Sequence, residues 1–282
     1  MKIPILILFL FFACSSPIED PDPPTQPVWV NKSSPDAIIE YGIDSDHSFG
    51  ERIVLMWHQN FDKDLSSYNI FRGELFTNSN NISSIIYEKI TTIDPTQNFG
   101  LDTLYYDENI NKYTTYYYYL IVEDLANNKS VPSDTISYKL IRSPTAIAPS
   151  NTITNTKPTF TWIDNAAMFE YSNEYIIRLE TSGLSNEPTW ICRFSNSWFG
   201  FENEIPINFP YFPANGYWPE NGESEPGIPD DAPSNVISCY GYTSELATGS
   251  YRWKVKAISE VNNETGIDEA SSESEWIYFT IE

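Results

Sequence analysis

The side chains best able to do chemistry are few in this sequence. It has two histidines, His47 and His58, and neither belongs to a metal-binding spacing or a nucleophile motif. No GxSxG, HExxH, P-loop or GxGxxG motif occurs among its 282 residues. The segment 44–51 fits a calcium-binding loop poorly, because Gly50 falls one place late, and we expect a turn there. The sequence therefore predicts a protein that is not an enzyme and has no cofactor or metal site.

The first cysteine, Cys14, follows a short apolar run at positions 3–13. This run is too short to span a bilayer, which takes about 20 residues, but it suits the core of a signal peptide. A cysteine directly after the small Ala13 resembles the lipobox of bacterial lipoproteins, although the two preceding phenylalanines depart from that pattern. The resemblance implies a signal peptide over residues 1–13 and a lipid on Cys14. An ordinary signal peptide cleaved nearby is the alternative.

The next segment, residues 14–26, is rich in proline and acidic residues and is expected to be an extended tether. Ser15 and Ser16 resemble the residues that sort lipoproteins to the outer membrane. We therefore predict a lipid-anchored protein of the outer membrane or cell surface, with the membrane as one partner.

Two cysteines remain, Cys192 and Cys239, and they flank an unusual segment at 198–236. An exported chain meets an oxidising compartment, which favours a disulfide between them; two buried free thiols are the alternative.

The segment 198–236 contains eight aromatic residues, seven acidic residues and seven prolines. A loop of this length usually has a function, and rigid aromatic rings can stack on sugars. The alternative is that its rings cover a face or an edge of a sheet. The candidate ligand-binding residues are Trp198, Tyr211, Tyr217 and Trp218.

A sequence pattern occurs twice along the chain. Each copy has a tryptophan (Trp57, Trp162), then a strand opened by tyrosine, and later a strand with alternating aromatic residues. In the first copy the later strand contains four consecutive tyrosines, 116–119. It aligns with "YRWKVKA" in the second copy, whose intervening cations are expected to face water: Arg252, Lys254 and Lys256.

This alignment predicts that Tyr116 and Tyr118 point into a core, while Tyr117 and Tyr119 point outward with Phe71. The outward set is a candidate interface, either for a partner or for the second domain.

The ordered set of tryptophan, tyrosine-led strand and "YxYxLxVxD" resembles fibronectin type III domains. Strand-forming residues dominate the composition, which also favours an all-β protein. The resemblance implies two antiparallel β-sandwiches in tandem, at 27–142 and 143–282, with Trp57 and Trp162 in their cores. Immunoglobulin-like sandwiches are the structural alternative.

The net charge of −23 disfavours nucleic acid as a partner. We expect a non-catalytic binding or structural module of the cell envelope, acting in protein–protein contact or adhesion. One alternative is a glycan-binding lipoprotein associated with polysaccharide uptake. A second is an architectural subunit of an envelope complex.

Overall fold

The computed structural model describes residues 21–95, 103–165, 172–196, 205–208, 236–241 and 245–282. These ranges form seventeen β-strands and contain no α-helix, so the prediction of an all-β protein is confirmed. The strands are β1 Asp44–Asp46, β2 Arg52–Met56, β3 Leu65–Thr77, β4 Ser83–Ile93, β5 Leu104–Asp107, β6 Thr115–Asp124, β7 Ile136–Leu140, β8 Thr145–Ala148, β9 Asn151–Ile153, β10 Thr159–Ile163, β11 Glu174–Thr181, β12 Pro188–Ser195, β13 Ile205–Asn208, β14 Val236–Gly241, β15 Gly249–Val261, β16 Asp268–Glu273 and β17 Ile277–Ile281.

The N-terminal core lies between two groups of strands. The small sheet β1-β2-β5 supplies one wall, and β4, β3, β6 and β7 supply the other. Ile53 and Leu55 of β2 face Tyr68 of β3 and the buried side chains of β6 across this core. Trp57 is buried in the same cluster, as predicted.

The C-terminal core is a separate cluster of buried side chains. Strands β8, β10 and β13 form one sheet, and β14, β12, β11 and β15 form the facing one. Trp162 of β10 and Trp253 of β15 are fully buried between them, which confirms the prediction for Trp162. Residues 205–208, inside the segment 198–236, pair antiparallel with β10.

The two halves of the chain share one sheet. Strand β16 of the C-terminal half pairs parallel with β7 of the N-terminal half, through Ala270 opposite Lys139 and Ser271 opposite Leu140. The sheet therefore continues in the order β14-β12-β11-β15-β16-β7-β6-β3-β4, which leaves β4 at one end of this path.

The segment before β1 covers the outer face of the C-terminal half. Arg178 of β11 donates hydrogen bonds to the backbone carbonyls of Ala37 and Ile38, at 2.7 and 3.0 Å. Ile38 also packs against an apolar cluster on that face, formed by Ile176, Ile191, Tyr240 and Ile258.

The prediction that Lys256 faces water is wrong, because this segment covers it. Lys256 was expected to face water with Arg252 and Lys254, but its residue exposure is only 3%, and the other two are half-buried. The alternation of β15 does place Lys256 on the face opposite the core. That face is nevertheless buried, because residues 32–44 lie over it and bring carboxylates to the ammonium group.

Five charged or polar side chains form a buried junction cluster between the halves: Lys32, Asp44, Tyr138, Lys256 and Asp268. The Lys256 ammonium donates hydrogen bonds to both Asp44 oxygens at 2.7 and 2.8 Å, and Lys32 Nζ lies 3.0 Å from Asp44 and 3.2 Å from Asp268. The Tyr138 hydroxyl lies 3.0 Å from Asp44 Oδ1 and also hydrogen-bonds to Asp268. The positive and negative charges of the cluster thus face one another across the junction.

The junction cluster shifts the pKa values of its members. Burial alone would raise the pKa of the Asp44 carboxyl, but Lys256 and then Lys32 outweigh it and hold the pKa well below its ordinary value of 3.8. Burial would lower the pKa of Lys256, but Asp268, Asp44 and Glu40 raise it well above 10.5. Both groups are therefore charged at neutral pH.

Candidate functional site

The tyrosine run forms two stripes on opposite faces of β6. Side chains along this strand alternate strictly between half-buried and buried. Tyr116 and Tyr118 are buried in the N-terminal core, whereas Tyr117 and Tyr119 are half-buried on the outer face of the sheet. The predicted orientation of all four tyrosines is confirmed.

Strand register brings four rings together on this outer face. Phe71 of β3 pairs with Tyr119, and Gly73 pairs with Tyr117 on one side and with Tyr87 of β4 on the other. Residues directly opposite one another share a face of the sheet. We call Phe71, Tyr87, Tyr117 and Tyr119 the aromatic face.

The rings of the aromatic face pack mainly against one another. Phe71 and Tyr119 are stacked, with centroids 4.7 Å apart and planes at 7°. Tyr87 meets Tyr119 edge to face, at 4.8 Å and 68°. One face of the Phe71 ring and one face of the Tyr119 ring are therefore covered by each other.

Gly73 leaves the space in which Tyr87 lies. A Cβ atom at this position would be 2.5 Å from Ile85 Cγ2 and 2.7 Å from Tyr87 Cδ1, both closer than real atoms approach. A larger residue would force the side chains of Tyr87 and Ile85 to shift, so the present packing of the aromatic face depends on glycine here.

A buried polar group supports the aromatic face from the core side. The Tyr118 hydroxyl donates to Asp107 Oδ2 at 2.9 Å, and Arg72 donates to both oxygens of Asp107 at 3.1 Å. Burial, and then the Asp107 carboxylate, raise the pKa of Tyr118 well above its ordinary value of 10.0, so the hydroxyl remains a donor. Because Arg72 also bonds to Glu88 of β4 at 2.9 Å, these contacts tie β3, β4, β5 and β6 together.

The hairpin of β3 and β4 continues past the rest of the sheet as a two-stranded arm. Glu74 is the last residue of β3 that pairs with β6, while pairing with β4 continues to Thr77 and Ser83. We call residues 75–86 the arm. Its exposed apolar side chains are Leu75 at 58%, Phe76 at 53%, Ile82 at 61% and Ile86 at 59% exposure.

The candidate interface predicted from the sequence is thus only part of this surface. Phe71, Tyr117 and Tyr119 lie together as expected, but Tyr87 and the arm were missed. Their signal was present in "ISSIIYEKI", whose apolar residues are too frequent for an ordinary exposed hairpin.

Cys192 and Cys239 form a disulfide, as predicted. They are direct partners in the antiparallel pair β12 and β14, with Cα atoms 4.3 Å apart, and both are fully buried. The bond closes a separation of 47 residues that includes the segment 198–236.

Five other candidate residues lie outside the described part of the chain. They are the proposed lipidation site Cys14 and the proposed ligand-binding residues Trp198, Tyr211, Tyr217 and Trp218. Of the segment that contains the last four, the structure describes only the pairing of residues 205–208 with β10 and the residue Val236 of β14.

A pocket of about 150 Å³ opens where the two halves meet. Two carboxylates in its wall are engaged in ion pairs, Glu40 with Lys256 at 2.9 Å and Glu273 with Lys254. Within the described ranges, no group of three or more histidine, cysteine, aspartate or glutamate residues is arranged to hold a metal ion.

None of the described segments forms a helix long and apolar enough to cross a membrane. Comparison of the chain with protein-family models and with curated proteins finds no match.

Proposed function

We propose that this protein is a non-catalytic lipoprotein of the cell envelope that binds a protein partner through its aromatic face and arm. The observation that carries the proposal is the exposed apolar surface of the arm: Leu75 extends the aromatic face along β3, and Phe76 and Ile86 expose apolar side chains on the opposite face of the hairpin. Contiguous apolar surface of this kind marks interaction sites more often than isolated exposed residues do. Aromatic residues are also enriched in protein interfaces.

The orientation of the rings favours a protein over a glycan at this surface. A sugar ring stacks on the broad face of an aromatic ring, so a sugar-binding platform must present such faces to solvent. Phe71 and Tyr119 instead stack on each other at 4.7 Å. The exposed side chains of Leu75, Phe76, Ile82 and Ile86 add apolar area in the arm, which suits an apolar protein surface.

The pairing of the junction charges supports a binding role over catalysis. A catalytic carboxylate must be available to a substrate, but Glu40 and Glu273 in the junction pocket are engaged with Lys256 and Lys254. The Glu40–Lys256 pair also joins the two halves, whereas Glu273 and Lys254 both belong to the C-terminal half.

We further infer that the halves are fibronectin type III-like sandwiches, residues 27–142 and 143–282. Two observations support this division. The N-terminal and C-terminal cores are separate clusters that divide between Leu140 and Ile141. In the N-terminal half three strands face four, which agrees with the count of about seven that the sequence resemblance implies.

The proposed location, at the outer membrane or cell surface, rests on the sequence. Lipidation of Cys14 would anchor the chain, and the proline-rich residues 14–26 would connect the anchor to the N-terminal half.

The junction favours a second candidate, an architectural subunit of an envelope complex. The shared sheet and the buried junction cluster fix one half against the other. A fixed arrangement suits a subunit that sets the spacing between partners, whereas a simple binding module needs only one surface.

Photo-crosslinking in the native envelope tests the proposed function. A photo-reactive phenylalanine analogue would replace Phe76 in the arm and, as a control, Tyr278, which is similarly exposed in the C-terminal half. We expect a discrete protein adduct at position 76 and none at position 278. Identical adducts at both positions, or glycan-array binding by a protein that forms no protein adduct, would contradict the proposal.

A further inference from the structure

The described chain enters the N-terminal half at one end, where three segments meet. They are residues 25–28, the β2–β3 loop at 58–64 and the β6–β7 loop at 125–134, and we call them the tether pole. The Asp62 carboxylate accepts hydrogen bonds from the Thr25 backbone and hydroxyl at 2.7 and 2.9 Å. The Leu125 amide donates to the Asp64 carbonyl at 2.9 Å, which joins the two loops.

Each of the three segments exposes large apolar side chains at the tether pole. Phe61 is 85% exposed and Val131 68%, while Val28 and Leu125 are each 58% exposed. Because hydrogen bonds hold the three segments together, these four side chains belong to one end of the protein.

Two lysines flank the apolar residues. Lys63 and Lys129 are exposed, and neither forms an ion pair with another described residue. A long lysine side chain can keep its charge at the level of lipid phosphates while apolar neighbours enter the interface.

We infer that the tether pole rests on the bilayer, with Phe61 and Val131 inserted into the interfacial region of the phospholipids. This inference rests on the proposed lipid anchor at Cys14. A bilayer is the surface expected to contact this pole, because the chain that leads to the proposed anchor starts at the same pole.

The length of the chain before the pole allows this contact and makes it favourable. Thr25 follows Cys14 by 25 − 14 = 11 residues, which span at most about 40 Å when extended. An anchor this close keeps the pole at a high effective concentration near the membrane, so a weak interfacial affinity is sufficient.

The charges near the pole indicate which lipids suit it. Asp62, Asp64 and Asp134 lie in the same loops as the two lysines, so the pole is not a basic patch. Attraction to anionic lipid requires clustered basic residues. We therefore expect apolar insertion that does not depend on anionic lipid.

Photo-crosslinking to lipid tests the inference. The photo-reactive analogue would replace Phe61 in the full chain and, as a matched control, Ile82 at the tip of the arm, which is 61% exposed. The 13 residues of β3 separate Ile82 from the pole by about 40 Å. The lipidated proteins would be placed on phosphatidylcholine vesicles, with and without phosphatidylglycerol.

We expect at least about tenfold more lipid adduct at position 61 than at position 82, on both kinds of vesicle. Val131→Ser should reduce the adduct at position 61, whereas Leu75→Ser should not. Equal adducts at positions 61 and 82, or adducts with a protein instead of lipid at position 61 in native envelopes, would overturn the inference.

A second way of attaching the chain separates this inference from the proposed anchor. A chain carrying a histidine tag in place of residues 1–14 would be bound to vesicles through a nickel-chelating lipid. If the native protein fails to float with vesicles, the lipoprotein proposal is wrong. The tagged chain then still decides whether the tether pole touches lipid.

Discussion

Tyr118 and Tyr119 are neighbours in the chain but lie on opposite faces of β6. Tyr118 fills the N-terminal core and donates to the buried Asp107, whereas Tyr119 stacks on Phe71 at the surface. The loss of unfolding free energy on removing a side chain depends on how many packing contacts disappear and how many buried hydrogen-bond partners are left unpaired. These two adjacent residues should therefore respond very differently to the same substitution.

We predict that Tyr118→Ala lowers the free energy of unfolding by about 3 to 5 kcal/mol. Tyr119→Ala should cost less than about half as much, because Tyr119 is only half-buried. Denaturant unfolding of the two variants provides the comparison. Equal losses would show that the strand register is wrong.

The second prediction for a single residue concerns Asp44. Asp44→Asn leaves Lys256 and Lys32 buried with less negative charge beside them, and should cost about 3 to 5 kcal/mol at neutral pH. Asp134→Asn, at an exposed aspartate, is the control and should change stability by less than about 0.5 kcal/mol.

The lowered pKa of the Asp44 carboxyl predicts that the stability of the protein depends on pH. Since the pKa of Asp44 is lower in the folded protein than its ordinary value of 3.8, its contribution is fully present above about pH 4. It is lost as the pH falls through the lower folded-state pKa. Urea unfolding should therefore show a shallower decline of stability below pH 4 for Asp44→Asn than for wild type. Parallel declines would contradict the assignment.

At the level of elements, local patterns predict the strands but not all of their partners. The alternation of β6, the buried Trp57 and Trp162 and the Cys192–Cys239 bond were predicted from the sequence and are present. The first three features depend on side-chain patterns within one segment, and the bond was predicted because only these two cysteines remain in an exported chain.

The features that sequence reasoning missed depend on distant segments. The burial of Lys256 requires residues 32–44, more than 200 positions earlier, to lie across β15. The parallel pairing of β7 with β16 joins two short strands, and the composition of neither strand predicts that they pair. Tyr87 joins the aromatic face only because Gly73 leaves room opposite it. The first two relations have no local periodic signal, whereas Tyr87 lies in the apolar-rich stretch "ISSIIYEKI" of the neighbouring strand.

The disulfide gives a prediction at the scale of elements. Replacing Cys192 and Cys239 together by alanine releases a 47-residue loop in the unfolded chain, which corresponds to about 4 kcal/mol in the loop-entropy description. We expect a loss of about 2 to 5 kcal/mol in denaturant unfolding of the C-terminal half. A loss below about 1 kcal/mol would show that the bond contributes little to stability.

At the scale of the whole molecule, the proposed surfaces lie at different places along β3. The tether pole adjoins the start of this strand, and the arm contains its last residues. With the pole on a membrane, the arm would be held about 40 Å away and open to a partner. The net charge of −23 disfavours nucleic acid as such a partner and favours a protein with a complementary basic rim.

The affinity of the chain for the protein captured at position 76 tests the central claim most directly. Leu75→Ser/Phe76→Ser should weaken binding at least about thirtyfold, as expected for a hot spot worth about 2 kcal/mol or more. Leu184→Ser, at a fully exposed leucine of the C-terminal half, is the matched control and should change affinity less than about twofold. All three proteins should unfold at similar denaturant concentrations. Equal affinities for wild type and the arm variant, measured by calorimetry, would contradict the claim that the arm and aromatic face form the binding site.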